Sequence, residues 1–323
     1  MLSRPSLERH QVWIYLIAIA VGLAVGLAAP GVGPLFDTLL WPVLGALLYV
    51  TFVQVPLLHL REAFADLRFV ATLVVGNFVL IPLLAFGLMQ LLPHDPAIRL
   101  GVLLVLLVPC TDWFITFAQL GRGDTARAIS VTPLNLLLQF LLLPLYLWMM
   151  LPAEQWSSVI SIHDLLPAAI GLIGVPLLLA ILSERWIDAR PGRAVWRDRI
   201  NWWPVPLLAI VVFLIAAAQV GIVRDSGSAL LALLPVFIAF ALAAALIAKL
   251  LAIVVRLPPA SGRTLAFSLG TRNSFVVLPF ALSLPAGWEA TVVVIVLQSL
   301  VELLAMVFYL WWIPERLFRD APA

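Results

Sequence analysis

Apolar segments of about 20 residues recur along the whole chain, separated by short polar stretches. A helix rises about 1.5 Å per residue, so a segment of this length crosses the hydrocarbon core of a bilayer. The short alternating strands that would indicate a transmembrane barrel do not appear. The pattern therefore predicts an all-α membrane protein with ten transmembrane helices. Their predicted bounds are 12–29, 36–58, 69–92, 98–120, 126–151, 164–183, 203–223, 228–255, 262–284 and 288–313.

The basic residues are distributed unevenly between the connecting segments. With the N-terminus placed in the cytoplasm, nearly all of the 19 Lys and Arg residues face the cytoplasm, and the opposite loops hold only Arg99 and Arg224. Cytoplasmic loops of membrane proteins are enriched in Lys and Arg. We therefore predict a multi-pass protein of the cell membrane with both termini cytoplasmic, and a cytoplasmic loop at 184–202.

The two halves of the chain resemble each other at an offset of 163 residues, where Tyr146-Leu147-Trp148 aligns with Tyr309-Leu310-Trp311. At the same offset, Cys110 aligns with Asn273, Thr111 with Ser274, Asn135 with Gln298, and Gln139 with Glu302. An odd number of spans inverts the second copy, as in many secondary transporters. The chain is thus predicted to form a single membrane domain of two inverted five-helix repeats. Residues 1–183 would hold the first repeat and the sixth span, and residues 203–323 the remainder.

The composition excludes several classes of protein. The chain is 63% hydrophobic and 11% charged, with a mean hydropathy of +1.11, whereas soluble domains carry about 25% charged residues. The net charge of +2 does not indicate nucleic-acid binding, and a single cysteine excludes an internal disulfide. A phosphate-binding loop and a catalytic Ser/His/Asp or zinc-type spacing are missing from the sequence. We predict a transporter rather than an enzyme, with no cofactor and no metal site.

Two polar interruptions, at 108–114 and 270–275, are predicted to break the fourth and ninth spans. Asp112 lies at membrane depth, which costs about 2.5–3.5 kcal/mol on insertion scales. It either binds a proton or sodium, or caps the second half-helix. Arg272 lies about 13 Å deeper than Arg263, too deep for easy snorkelling. Arg272 is therefore a partner for Asp112 or a ligand for an anionic substrate.

Further polar residues surround the same two interruptions. The thiol of Cys110 is either a soft ligand for trivalent arsenic or antimony, or a small packing residue. We assign substrate contacts to Cys110 and Arg272 and to three neighbours, namely Thr111, Asn273 and Ser274. We assign ion or proton coupling to Asp112, Glu302, Asn135, Gln139 and Gln298. Interhelical hydrogen bonding is the alternative for the three amides.

Four motifs resemble the arsenical-resistance (arsenite permease) family. Cys110 and the Leu120-Gly121-Arg122-Gly123-Asp124 run resemble its fourth span, and Asn135 with Gln139 matches its fifth-span N-x-x-x-Q. Asn273-Ser274-Phe275 resembles its ninth-span Asn-Asn-Phe, and Leu300-Val301-Glu302 matches its tenth-span Leu-Val-Glu. The resemblance covers nearly the whole chain in hydropathy and span count. It implies the bile acid:sodium symporter superfamily, whose ten spans form panel and core domains with broken helices 4 and 9 crossing.

The chain departs from that family at three places. Val276 stands where the family usually carries an acid, Arg272 stands where a small residue is usual, and Thr111 with Asp112 replaces apolar residues. The resemblance implies efflux of arsenite or antimonite coupled to proton entry. Sodium-coupled uptake of an organic anion stays open as the alternative. The expected partners are the small-molecule substrate, a proton or sodium, and membrane lipid, and a homodimer is left open.

Overall fold

The computed structural model describes residues 4–56, 58, 66–111, 113–151, 170–225 and 227–320. All regular elements in these ranges are helices, and Pro109 and Arg272 form an isolated β-bridge. Seven helices of the described chain are long and apolar enough to cross a membrane. The prediction of an all-helical membrane protein is confirmed. Residues 164–169, at the start of the predicted sixth span 164–183, lie outside the described residues.

The helices of the N-terminal half are α1 Arg4–Ala28, α2 Gly33–Val53, α3 Leu67–Val75, α4 Ile81–Met89, α5 Pro96–Leu106, α6 Trp113–Leu120 and α7 Thr125–Met150. A π-helical turn, Gly76–Leu80, joins α3 to α4. The following helices are α8 Val175–Asp188, α9 Ala194–Ile200, α10 Pro204–Ala218, α11 Val220–Asp225 and α12 Gly227–Leu231. The last four are α13 Leu234–Val255, α14 Pro259–Gly270, α15 Ser274–Leu282 and α16 Glu289–Trp312.

The segment 184–202, predicted as a loop, is largely helical. Helix α8 continues to Asp188, a 3-10 turn covers Pro191–Arg193, and α9 occupies Ala194–Ile200. The Arg193 guanidinium lies over the Trp186 ring at 4.1 Å, and Arg197 pairs with Asp188 at 2.7 Å. These contacts fold the charged connector back against the end of α8, which the count of its charges alone does not reveal.

One group of helices packs around α10, which contacts α1 and α2, while α2 also contacts α8. Gly22 and Gly26 lie one helical turn apart on α1, facing α10. A Cβ built on Gly26 would lie 2.4 Å from the Ala217 carbonyl oxygen, and one on Gly22 would lie 2.5 Å from that of Phe213. The two glycines thus let the backbones of α1 and α10 touch, as small residues do in membrane helix pairs. We call α1, α2, α8 and α10 the first bundle.

The Gly26→Ala variant should destabilise the protein by about 1–3 kcal/mol, because the added methyl group meets backbone rather than a movable side chain. Thermal unfolding in detergent measures this loss. Gly87→Ala is the matched control, since Gly87 is also inside a helix but has nothing within 4 Å of an added Cβ. The control should leave stability unchanged or raise it slightly. Equal losses in both variants would show that the close contact at Gly26 is not the cause of the destabilisation.

The remaining long helices form a second bundle, in which α16 packs on α5 and α15, and α13 packs on α14. The last span, Glu289–Leu317, is 67% buried within the protein, whereas the first, His10–Ala28, is 22% buried. More of the surface of α16 than of α1 is therefore covered by other parts of the protein. Polar side chains on α16 are consequently held inside the bundle rather than exposed to the bilayer.

The two Tyr-Leu-Trp motifs contribute matched hydrogen bonds to the second bundle. The Tyr146 hydroxyl donates to the Phe78 carbonyl oxygen, and the Tyr309 hydroxyl donates to the Ala241 carbonyl oxygen. Each bond spans 68 residues of sequence. The motif therefore ties α7 to the π-helical turn after α3, and ties α16 to α13.

The Leu120–Asp124 motif forms a tight helix connection. Asp124 caps α7 by accepting from the Arg127 amide at 3.0 Å, and its own amide donates to the Thr264 hydroxyl at 2.7 Å. Arg127 also binds Asp66, which caps α3, at 2.8 Å. The hydrogen bond from the Phe69 amide, followed by the contact with Arg127, holds the pKa of Asp66 below its usual value. Asp124, the acid of the Leu120–Asp124 motif, thus acts as the N-terminal cap of α7.

Candidate functional site

The two helix breaks lie where the sequence predicts them, and they pair with each other. The Cys110 amide donates to the Thr271 carbonyl oxygen at 3.2 Å, and the Asn273 amide donates to the Val108 carbonyl oxygen at 2.8 Å. These bonds flank the bridge between Pro109 and Arg272. Unpaired backbone groups at membrane depth are costly, so this pairing is what allows both helices to be interrupted there.

Side chains from the two breaks also meet. The Asn273 amide nitrogen donates to the Thr111 hydroxyl at 2.9 Å, and both residues are buried. The Ser274 hydroxyl donates to the Gln298 side-chain oxygen on α16 at 3.0 Å. Three of the predicted substrate contacts and one predicted coupling residue are thereby brought together at one place.

Glu302 connects this cluster to Arg272. Its Oε2 accepts from the Arg272 backbone amide at 2.8 Å and from the Gln298 side-chain nitrogen at 2.8 Å. The carboxylate is 3% exposed. Gln298 and Glu302 lie four residues apart and therefore on one face of α16, as predicted. A buried carboxylate that holds the backbone of a helix break is well placed to couple its own charge state to the position of that break.

The Arg272 side chain is turned away from solvent and is 2% exposed. Its Nη2 donates to the Asn77 side-chain oxygen at 2.8 Å and to the Ser268 and Leu269 carbonyl oxygens at 2.9 Å, and its Nη1 donates to the Leu106 carbonyl oxygen at 3.3 Å. These four acceptors, all in the described part of the chain, are neutral oxygens. Snorkelling, the alternative considered for this residue, does not occur.

The predicted pair of Asp112 and Arg272 stays a prediction, because Asp112 lies outside the described residues. Cys110 lies in the paired break and is 1% exposed. Its neighbours along the chain, Pro109 and Thr111, form the bridge to Arg272 and the hydrogen bond from Asn273. The only thiol of the protein is thus placed at the junction of the two broken helices.

The two amides on α7 differ from the other polar residues of the site. Asn135 and Gln139 are 0% and 1% exposed, and their amide groups have no hydrogen-bond partner in the part of the chain that the structure describes. Buried polar groups in proteins are nearly always hydrogen-bonded, to protein or to ordered water. The hydrogen-bonding groups of Asn135 and Gln139 are thus available to a ligand or to water.

Asn77, which is not among the predicted site residues, contacts Arg272 directly. It lies in the π-helical turn after α3, accepts from Arg272, and donates to the Ser268 hydroxyl at 3.0 Å. Single π-helical turns are rare and often occur at functional sites. The sequence signal for Asn77 is a single amide in an otherwise apolar span. The sequence does not predict the π-helical turn, whose hydrogen bonds span one residue more than those of an α-helix.

Aromatic side chains join the two bundles beside the breaks. Tyr15 of α1 stacks on Trp113 at the start of α6, with ring centroids 6.1 Å apart and planes 14° apart. Trp113 in turn contacts Phe275 at the start of α15 with centroids 5.7 Å apart. The first bundle therefore contacts the residues beside the two helix breaks through aromatic rings.

A second region between the two bundles contains a cavity of about 180 Å³. Its lining includes Asp37, Trp41, Gln219, Trp288 and Glu289. The lining comes from α2 and the residue after α10 on one side and from the start of α16 on the other. The boundary between the two bundles thus contains space for a small solute.

The chain is similar to several known proteins at modest sequence identity. The chain is 27% identical to "P3 protein" of Homo sapiens over 63% of its own length and 42% of that protein. It is 28% identical to "Uncharacterized sodium-dependent transporter YocS" of Bacillus subtilis over 38% of the chain and 37% of that protein. It is 23% identical to "Arsenical-resistance protein Acr3" of Corynebacterium glutamicum over 58% of the chain and 55% of that protein.

The matches thus span roughly half, or less, of the length of these curated relatives. A family model described as "Sodium Bile acid symporter family" matches residues 41–226, which is more than half of the chain. The match supports a transporter rather than an enzyme, and it agrees with the apolar helices and the paired helix breaks. This chain belongs to the sodium bile acid symporter family of multi-pass membrane transporters.

Proposed function

We propose that this protein is a secondary transporter that exports arsenite or antimonite in exchange for protons. The observation that carries the proposal is the position of the Cys110 thiol, buried at the junction of two broken helices. Thiolates are preferred ligands of soft metal and metalloid centres. A single sulfur binds such a substrate weakly enough for release, and the hydroxyls of Thr111 and Ser274 supply further contacts nearby.

The ends of four half-helices support this location for substrate and ion. Helices α5 and α14 end at the breaks, while α6 and α15 begin there. Helix N-termini attract negative charge and C-termini attract positive charge. Broken helices in secondary transporters use these ends to bind substrates and coupling ions. Glu302, together with Asp112, is the group that we propose to alternate between protonated and ionised states.

We further propose that the fold is built from ten spans in two inverted repeats. The bounds of α5, Pro96–Leu106, recur 163 residues later in α14, Pro259–Gly270, and those of α7 recur in α16. The Tyr146 and Tyr309 hydrogen bonds are separated by the same offset at both of their ends. Both observations support the repeat. In this proposal the second bundle moves against the first to expose the site to each side in turn, with both termini cytoplasmic.

The purified protein in proteoliposomes tests the function. An imposed proton gradient should drive arsenite transport in the direction opposite to proton flow, and a sodium gradient of the same size should have no effect. The matched control is liposomes that carry the same gradients without protein. Transport that follows the sodium gradient and ignores the proton gradient would overturn the coupling that we propose.

A second function is favoured by a separate observation. The buried amides of Asn135 and Gln139 have no hydrogen-bond partner in the described part of the chain, and amide oxygens are suitable ligands for a hard cation such as sodium. One relative is named as a sodium-dependent transporter. Sodium-coupled uptake of an organic anion would follow from this site. It predicts anion uptake driven by the sodium gradient in the same proteoliposomes, with arsenite having no effect as a competitor.

A further inference from the structure

The environment of the Arg272 guanidinium is unusual for a charged group buried in a membrane protein. Its backbone-carbonyl acceptors belong to the ends of two half-helices, with Leu106 in the last turn of α5 and Ser268 and Leu269 in the last turn of α14. The last four carbonyl groups of a helix have no partner inside the helix. The guanidinium therefore satisfies carbonyls that the two breaks would otherwise leave unpaired.

Among the described residues, two further groups contact this cation, and the Glu302 carboxylate lies close by, where it accepts from the Arg272 backbone amide at 2.8 Å. The side-chain oxygen of Asn77 accepts from Nη2 at 2.8 Å, and the guanidinium carbon lies 5.6 Å from the centroid of the Phe240 ring. A cation within about 6 Å of an aromatic centroid is attracted by the ring. In the described part of the chain, three carbonyl oxygens, an amide oxygen and an aromatic face thus surround one buried positive charge.

A set of carbonyl and amide oxygens of this kind is also what binds a free monovalent cation. Backbone carbonyls replace the hydration shell of alkali cations in membrane proteins, and half-helix C-termini of transporters coordinate sodium. We propose that the Arg272 guanidinium is a tethered cation that occupies a monovalent-cation site formed by the C-terminal ends of α5 and α14. This inference deepens the proposed transport function, because a cation that cannot leave makes a free cation unnecessary at this position.

The substitution Arg272→Ala tests the proposal, because it should convert the tethered cation into an empty site for a free one. In the full-length chain purified in detergent, Tm should fall in choline chloride. Replacing choline by sodium or potassium at equal ionic strength should raise it again by about 3–6 °C. The wild-type protein should show a smaller difference between these salts, because its site is filled. Equal Tm values of the variant in choline, sodium and potassium would overturn the proposal.

Arg263→Ala is the matched control. Arg263 lies on the same helix and is 3% exposed, but it donates to the Phe318 and Arg122 carbonyl oxygens and pairs with Asp320, whose side chain is 64% exposed. Water can replace its guanidinium there, so sodium should restore no more stability than choline. Recovery of both variants by sodium would mean a general salt effect and would contradict a specific site.

The Arg272→Lys and Arg272→Gln variants keep the proposal testable if the alanine variant does not fold. Lysine retains the charge and should preserve Tm better than glutamine, which retains only hydrogen-bond donors. Glutamine at the wild-type Tm, or failure of the lysine variant to fold, would show that charge is not what the site requires. These measurements use no substrate and no gradient, so their failure is distinct from a failure of the transport function.

Discussion

Replacing Glu302 with glutamine should lower proton-driven transport about ten- to hundredfold while leaving the fold intact. A hydrogen bond to a charged acceptor contributes about 1.5–3 kcal/mol and one to a neutral acceptor about 0.5–1.5 kcal/mol. A neutral side chain therefore weakens the two bonds of Oε2 by about 2 kcal/mol in total, which corresponds to that range of rate. The amide oxygen of glutamine can still accept from the Arg272 amide and from Gln298, so both hydrogen bonds of Oε2 persist. What the variant loses is the ability to change charge.

Proteoliposome flux under a proton gradient measures this loss, and thermal unfolding of the same preparation reports the fold. Glu315→Gln provides the control, since Glu315 lies just beyond the same helix and its carboxylate pairs with Arg122 at the surface, where the Glu315 side chain is 48% exposed. The control should transport at the wild-type rate. Unchanged flux in Glu302→Gln would remove this carboxylate from coupling and leave Asp112 as the remaining candidate.

Cells that carry Cys110→Ala should lose arsenite resistance, with an apparent affinity for the metalloid that falls about tenfold or more, equivalent to ~1.4 kcal/mol. The expected reason is the loss of the only sulfur ligand at the junction of the breaks. Cys110→Ser is the informative companion, because serine has nearly the same size but offers a hard oxygen. Both variants should fail to exclude arsenite, although both should reach the membrane in normal amounts.

The two substitutions also separate chemistry from packing. If the thiol only fills space, serine and alanine should retain resistance and change only Tm, because a buried cysteine then acts as a small apolar group. Measured arsenite accumulation in cells, normalised to the amount of protein in the membrane, decides between these outcomes. Full resistance in Cys110→Ala would exclude the thiol from the transport mechanism and favour the sodium-coupled alternative.

The sequence predicts the helices and the positions of the breaks because the bilayer imposes a simple length and polarity rule. Pro109 and the polar residues near Arg272 interrupt long apolar runs, so both breaks are visible without a structure. The contacts of Glu302 with Gln298 also follow from their spacing on one helix face. The helical connector at 184–202 was missed, since its stability depends on rings stacked against arginines rather than on an apolar pattern.

The surroundings of Arg272 were not predictable from residue types. Charge alone suggests a carboxylate partner such as Asp112, which lies outside the described residues. It does not suggest the carbonyl oxygens of Leu106, Ser268 and Leu269, to which the guanidinium donates. Such acceptors exist at the end of every helix, and nothing in a sequence marks the ones that a long side chain reaches. Asn77 was missed for a related reason, because the π-helical turn that aims its side chain has no reliable sequence signature.

The glycine contact between α1 and α10 has a mechanical consequence. The backbones of Gly22 and Gly26 lie directly against those of Phe213 and Ala217, which leaves these helices no space to move against each other. We therefore expect the first bundle to move as one rigid unit. Relative motion is then confined to the boundary with the second bundle, where Tyr15 and Trp113 meet as nearly parallel plates. Stacked flat rings do not interlock as branched side chains do, so we expect this contact to shift at little cost during the proposed motion.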